Sequence, residues 1–527
     1  MGVALAAILQ AAFLDLRADD AYIVARYAEQ WHRGHGLVFN PGERVDAFTS
    51  PLHVVLMLAI RSVTTHAVRA YQIGAAIVTT VCLVAVSVRC FRDPRRRALY
   101  LSLALACPFV AFWTVGGLET PLLLALCLAI AAIASSSDTE AGAATIVLLC
   151  ALAVLTRYDA VLYAAPIAGV AAWRHRNAHP VRVATALAAL AVIGWLAFCR
   201  VYYGDVLPTS FYVKGGSLTF DDLAKGIPYT GSFLVLSLLW VPFLAGELSR
   251  PMRGVHWAVV MGASLELLYG VWAGTRHMMY AYRIFVPYAP AVALVLLRGP
   301  IVPDVQAPRL AALTVAALIF NAALGRFLYT ESENPNLSLA FVRQDAGNQL
   351  HEFSTIGARH TARFLDLVAA QAGDIRRDWA TRARSTDRAP RMLVLTGGLL
   401  PYLLPDAYTL ERLVSFRHAC APDLRLMADY EQVVYPRDAG DAFAAERRRR
   451  NAEVVSSYEL VVDGVQAHAA TIVVEMWYAP AQSDVVLPRR IDEPCTGGQT
   501  VERPGLNARV DRPPDRRPGA GAAPGAR

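Results

Sequence analysis

Two adjacent carboxylates, Asp19 and Asp20, are the residues of this chain best suited to moving a proton. They follow its first apolar run and open the stretch DDAYIVARYAEQWHRGHGLVFNPGERVDAFTSP, residues 19–51. A carboxylate within hydrogen-bond reach of a hydroxyl can take its proton as the oxygen attacks, a general-base contribution of roughly 10²–10⁴-fold. The same pair ahead of a helix can also act as a cap and dipole partner, worth roughly 1 kcal/mol. The residues that follow favour chemistry. In a helix from Ala21, Asp19, Tyr22, Ile23 and Arg26 share one face, and Asp20, Val24 and Tyr27 share its neighbour. That helix should break near Gly34–His35–Gly36, and LVFNPGERV then gives an extended piece and a Pro-Gly turn.

Basic groups fit for holding a developing negative charge recur later: Arg157, Lys214, Arg276, His277 and Arg283. Each also reads as a snorkelling residue at a membrane edge. Glu119 and Asp159 add carboxylates that could contact ligand hydroxyls; Asp159 reads equally as a helix-start cap paired with Arg157. Asn40, Glu43 and Asp46 read as residues that shape the loop. Tyr22, Trp31, Trp113, Tyr202, Tyr203 and Tyr212 read as sugar platforms or as aromatic-belt anchors, the anchor being the commoner role.

The elements that must position these groups are membrane helices. The chain has 527 residues, 55% hydrophobic and 18% charged, where about a quarter charged is usual for a soluble domain. Spans of roughly 20 residues are expected at about 1–17, 70–90, 98–115, 118–135, 141–156, 159–173, 183–203, 229–246, 254–273, 284–298 and 309–328. The N-terminus lacks a basic leader and a small-residue cleavage site, so it reads as a first span. The run 51–64 is short and carries Arg61, so it reads as interfacial. With eleven spans and an interfacial 51–64, the Arg-dense loops Phe91–Arg97, Trp173–Arg182, Glu247–Gly254 and Arg298–Arg309 all fall inside. The loops Asp19–Pro51, Trp113–Thr120, Thr156–Ala160, Tyr202–Gly216 and Gly274–Arg283 then fall outside together.

The apolar runs stop near residue 328. We read 1–329 as a helical membrane domain with its first external loop at 18–66, 330–502 as an extracytoplasmic α/β domain, and 503–527 as a disordered Pro/Gly/Arg-rich tail. The segment Arg391–Leu404 reads as a strand, a Gly turn and a further apolar piece; Tyr458–Val462 and Thr471–Trp477 read as strands; Leu350–Ala370 and Ala439–Val455 as helices. Cys420 and Cys495 could pair if that domain is outside the cytoplasm, and the remaining cysteines read as small buried hydrophobes. The net charge of +7 sits largely in short loops, so it points to topology and not to a nucleic acid.

Several motifs, in order, resemble the GT-C glycosyltransferases, with the closest match in the terminal arabinofuranosyltransferase B family. They are the stretch 19–51, GGLETPL (Gly116–Leu122), TRYDA, YYGDVLPTSFYVK (Tyr202–Lys214) and YRIFVPYAP (Tyr282–Pro290), with a looser match at GGLLPY. Two departures stand out: Tyr158 replaces a Pro of the family's pattern, and Thr209–Ser210 replace its Asn-Thr. The resemblance implies a GT-C fold in a bacterial cytoplasmic membrane, with the site on the extracytoplasmic face. It implies inverting transfer of a sugar, arabinofuranose in that family, from a polyprenyl-phosphate donor to a cell-envelope glycan. Asp19 or Asp20 would be the base, with the first favoured. Tyr22, Arg26, Glu119, Arg157, Asp159, Lys214, Arg276, His277 and Arg283 would bind substrate. A divalent cation is left open. Two other readings compete: a transporter or flippase of polyprenyl-linked sugars, and an inactive glycan-binding membrane protein. External carboxylates and the lack of an internal repeat weigh against the transporter; the intact acidic pair weighs against the inactive protein.

Overall fold

The computed structural model describes residues 1–136, 138–214, 220–244, 254–273, 280–297 and 307–330, a few between 365 and 377, and 391–393, 397–410 and 477–479. Its helices are α1 Gly2–Phe13, α2 Ala21–His32, α3 Pro51–Val63, α4 Ala67–Cys90, α5 Pro94–Ala104, α6 Pro108–Thr114, α7 Thr120–Ser136, α8 Glu140–Thr156, α9 Val161–Arg174, α10 His179–Tyr202, α11 Thr209–Lys214, α12 Phe220–Leu236, α13 Val241–Leu244, α14 Gly254–Ala273, α15 Ala289–Leu296, α16 Ala307–Thr330 and α17 Leu399–Leu403. Three short strands, β1 Arg391–Leu393, β2 Tyr408–Leu410 and β3 Trp477–Ala479, form a sheet in the order β2-β1-β3, with β1 parallel to β2 and antiparallel to β3.

A helix stands at each of the eleven expected spans, but their lengths divide them. Among the described residues α4, α10, α14 and α16 are long and apolar enough to cross a bilayer alone. The expected span 98–115 is two helices, α5 and α6, bent by 62°. Pro108 opens α6; proline cannot donate the backbone hydrogen bond that would continue α5. Helices α1, α7 and α8 are apolar but short; at 1.5 Å per residue the 12 residues of α1 extend only about 18 Å. The count of eleven complete spans is therefore not what length alone gives. Helix α10 buries only 11% of its most apolar window, leaving a broad face for lipid.

The segment 51–64 is the separate helix α3. Its Arg61 donates to Glu29 of α2 at 2.7 Å, which ties the two short helices together. Of the expected elements beyond residue 330, Arg391–Leu404 is β1 followed by α17, and Trp477 opens β3. Leu350–Ala370 in large part, Ala439–Val455, Tyr458–Val462, Cys420, Cys495 and the tail lie outside the described residues.

The loops 14–20, 115–119 and 157–160 meet at one end of the bundle. Gln72 of α4 donates to the carbonyl of Leu16 at 2.6 Å, and Ala18 N–H to that of Gly116 at 3.0 Å. Gly117 has φ +84°, and a Cβ there would stand 3.0 Å from that of Ala21, so the turn before Glu119 needs glycine for both conformation and space. The loops at 91–97 and 174–178 lie at the far ends of α4 and α9. There Arg174 and His175 meet Asp138 at 2.5 and 3.3 Å.

Asp46 is a buried acid of the first loop, 4% exposed and close to Phe48 and Tyr203. Its carbonyl accepts from Thr209 N–H at 2.7 Å and its carboxyl meets the Cys199 thiol at 3.8 Å. Burial pushes this carboxyl up to about 7, against the Phe48 N–H and the Cys199 thiol, so the folded chain keeps a proton that the unfolded chain sheds near 3.8. Stability should fall as pH rises from about 4 to about 7, by at most about 4 kcal/mol from this group. Asp46→Asn should remove that slope. Melting both chains in detergent at pH 5 and pH 8 checks it: the difference should shift in favour of the variant at pH 8, and parallel curves would refute it.

Candidate active site

Helix α2 starts without the cap that its acidic pair could supply. Asp20 sits at the N-cap position in helical geometry, and its carboxylate makes no capping hydrogen bond. It turns instead toward Arg283, whose Nη1 lies 3.7 Å from Oδ2. From there a chain of alternating charge runs through three further loops. Arg283 Nη2 donates to Glu119 Oε1 at 2.7 Å. Arg157 Nε stands 3.9 Å from the same oxygen and donates to Asp159 Oδ1 at 3.0 Å, while Nη2 meets Oδ2. Asp20, Arg283, Glu119, Arg157 and Asp159 come from four motifs far apart in sequence, and the fold sets them side by side.

The chain is buried at its centre and open at its Asp20 end. Glu119 is 2% exposed and Arg157 4%, whereas the Asp20 side chain is 51% exposed. Burial alone would push the Glu119 carboxyl up, but the Arg283 and Arg157 guanidiniums hold it below the usual carboxylate range. Two guanidinium groups keep donors in reserve: Arg157 Nη1 and Arg283 Nε are buried with no hydrogen-bond partner among the described residues.

The backbone before Arg283 is strained. Ala281 and Tyr282 have φ of +46° and +55°, a region that costs a non-glycine residue of order 1–3 kcal/mol. Two hydrogen bonds hold the turn. Trp113 Nε1 donates to the Ala281 carbonyl at 3.0 Å and the Tyr282 hydroxyl to Ser232 Oγ at 2.8 Å. The Trp113 ring also lies 5.6 Å under the Arg283 guanidinium.

Asp19, Tyr22 and Arg26 do not join this chain. Their face of α2 receives the segment 398–407. Asp19 accepts the backbone N–H groups of Gly398 at 3.0 Å and Leu399 at 2.8 Å. Tyr22 packs its ring on Tyr402, with centroids 5.3 Å apart. Arg26, fully buried, donates to the carbonyls of Phe39 at 2.7 Å, Ala407 at 2.8 Å and Leu404 at 3.3 Å, and to that of Pro401. The guanidinium thus satisfies carbonyls at the end of α17 that a short helix leaves open. Asn40 continues the seam, accepting from Thr409 N–H at 3.0 Å and donating to its carbonyl at 2.9 Å. Protein packed around Asp19 pushes its carboxyl up to about 6; the Leu399 N–H opposes this, the neighbouring Asp20 adds to it, and the Gly398 N–H opposes it.

Lys214 ends α11, in the loop bound to Asp46 through Thr209. Arg276 and His277 lie outside the described residues. Tyr158, at the departure from the family pattern, accepts from Trp195 Nε1 at 2.7 Å and so fixes the 157–160 loop to α10. Tyr202 lies under the Arg44 guanidinium at 4.7 Å, and Tyr203 donates to the Leu37 carbonyl at 3.0 Å, so both brace the first loop. Two further buried groups, Glu266 and His53, stand in no sequence motif. Glu266 is a carboxyl 1% exposed within α14; an ionisable residue in an apolar span is itself the signal that could have found it. His53 is fully buried at the start of α3. Its only mark is being the single polar residue in the apolar start of that run. Among the described residues no three His, Cys, Asp or Glu side chains gather as a metal site.

No protein-family model matches the chain, and no curated protein matches it. Among solved structures, ArnT from Cupriavidus metallidurans in the apo state superposes with a TM-score of 0.50 at 13% identity, over 84% of this chain and 89% of that one. The same protein bound to undecaprenyl phosphate gives 0.49 at 13% identity, over 82% of this chain and 87% of that one. At such identity the likeness is one of fold alone. With its apolar helices, this chain is a multi-pass membrane protein that shares the fold of ArnT.

Proposed function

We propose that the protein transfers a sugar from a polyprenyl-phosphate donor to a cell-envelope glycan, with inversion at the anomeric carbon. The observation that carries this reading is the charged chain from Asp20 to Asp159, open at its Asp20 end and holding unpartnered guanidinium N–H groups within. Asp20 is the base: its exposed carboxylate takes the acceptor hydroxyl's proton while that oxygen bonds to the anomeric carbon. The bond from that carbon to the phosphate oxygen breaks, and its electron pair leaves on the lipid phosphate. Arg283 and Arg157, with donors to spare, meet the growing charge, and Lys214 is assigned a supporting role by the motif resemblance. Glu119 keeps the two guanidiniums aligned. One displacement by one hydroxyl inverts the centre.

Arabinofuranose as the sugar rests on the motif resemblance. The extracytoplasmic face of a bacterial inner membrane rests on the Arg-rich loops at the opposite end. The α/β character of the part beyond residue 330, and glycan binding by it, belong to this same reading. Asp20, Glu119 and Asp159 are each engaged by a guanidinium, which disfavours a divalent cation among them. A second reading makes Asp19 the base, favoured by its carboxyl near 6. It requires Gly398 and Leu399 to leave that carboxylate during turnover.

The test is transfer by the purified chain from radiolabelled polyprenyl-phosphoryl arabinofuranose to a cell-wall oligosaccharide, with release of polyprenyl phosphate and an inverted linkage by NMR. Movement of the intact lipid across vesicles without release would identify a flippase, and binding of the oligosaccharide alone an inactive receptor.

A further inference from the structure

His53 is a buried polar side chain near the charged chain for which the proposed reaction has no use. It stands in the first turn of α3, fully buried, with neither ring nitrogen partnered among the described residues. Its ring lies 4.7 Å from that of Tyr71, whose hydroxyl donates to the Leu118 carbonyl at 2.9 Å. That contact places it beside Glu119. It is close enough that, after burial, Glu119 and Arg283 are the groups that set its proton affinity.

A buried imidazole with two open nitrogens calls for a ligand. Buried polar groups are paired in folded proteins, and an unpaired one is a liability unless something arrives to meet it. Two guanidinium groups beside Glu119, Arg157 Nη1 and Arg283 Nε, are also buried and open among the described residues. All three belong to residues around Glu119, so one bound molecule could satisfy them together. The guanidiniums suit an anion. His53 is different: burial lowers it to about 4, with Glu119 opposing and Arg283 reinforcing the shift, so at neutral pH the ring is uncharged. A neutral imidazole offers one donor and one acceptor, and the group that matches both is a hydroxyl. Core packing alone would be served better by Leu or Phe, which leave nothing unpaired.

We propose that His53 is a further ligand-binding residue of this site, its imidazole holding a hydroxyl of the sugar carried on the lipid phosphate. The assignment rests on the transferase reading given above. It deepens that reading by separating two parts of the donor pocket: guanidiniums for the phosphate and an uncharged ring for the sugar.

The experiment is equilibrium binding to the full chain in detergent, with a bare polyprenyl phosphate and with polyprenyl phosphates bearing a pentose or a hexose. Wild type should prefer one glycosylated lipid over the bare one. His53→Leu should weaken that lipid by about tenfold, the factor one ordinary hydrogen bond carries, and leave the bare lipid unchanged. His53→Asn, which keeps a donor and an acceptor, should recover part of the loss. Equal affinity of wild type and His53→Leu for the preferred lipid would overturn the assignment, as would an equal loss for both lipids without recovery by Asn. A wild type that binds the bare lipid but prefers no glycosylated one would overturn it while leaving a lipid-phosphate site standing. A wild type that binds neither would remove the transferase reading itself.

Discussion

Asp20→Asn should lower the rate of sugar transfer by about 10²–10⁴-fold, the usual worth of a general base. Affinity for the lipid donor should stay nearly unchanged, because an amide keeps the shape and only the proton acceptor is lost. Asp19→Asn should act differently. An amide can accept one of the two N–H groups of Gly398 and Leu399 but presents a donor to the other. It should therefore loosen the 398–407 segment, and any fall in turnover should track that loosening. Single-turnover rates with each variant decide between the two acids. A larger loss of chemistry in Asp19→Asn, with the segment still seated, would move the base to Asp19.

Arg26→Met should destabilise the protein more than any substitution on the rim of the same seam. The side chain is fully buried and satisfies carbonyls of Phe39, Pro401, Leu404 and Ala407, none of which Met can replace. Leaving several buried acceptors open should cost about 3–5 kcal/mol and release the segment. Arg33→Ala is the control. Its pair with Asp406, at 2.5 Å, has side chains 33% and 55% exposed, and such a pair is worth about 0–1 kcal/mol. Limited proteolysis after residue 390 should be fast in Arg26→Met and unchanged in Arg33→Ala. Equal protection in both would show that Arg26 does not hold the seam. Gly398→Ala should resemble Arg26→Met, since a Cβ there would fall on the carbonyl and carboxyl of Asp19.

Much of this site was legible because its parts sit in short polar motifs between apolar runs. DDAY, GGLET, TRYDA and YRIF could be named from the sequence, and the Arg-dense loops alone gathered them at one end. The helical periodicity of α2 put Asp19, Tyr22 and Arg26 on one face and Asp20 on the next. What periodicity could not say is what each face meets. Arg26 reads as a substrate ligand through the motif resemblance; here its acceptors are the nearby Phe39 carbonyl and carbonyls more than 370 residues away in sequence. A capping role for Asp20 was equally plausible from local sequence, and a long-range pair with Arg283 displaced it. Span continuity is less legible than span position: α7 lies within two residues of its expected bounds, but the expected span 98–115 is two helices, since hydropathy records what is apolar and not where a proline ends the helix. His53 is not legible in the sequence because one histidine in an apolar run carries no pattern.

The turn at Ala281 and Tyr282 determines where the protein will tolerate change. Glycine or asparagine would enter that backbone region more readily, so what keeps Ala281 and Tyr282 there is the fit of their surroundings. The Tyr282 ring packs against Phe109, Tyr229 and Phe233. Those side chains carry no charge, yet they fix the direction in which the next residue, Arg283, leaves the backbone. A mutational scan of activity should therefore show a halo of sensitive aromatic positions on α6 and α12 around an apparently bare loop, with sensitivity following the buttress and not the distance to the nearest carboxylate.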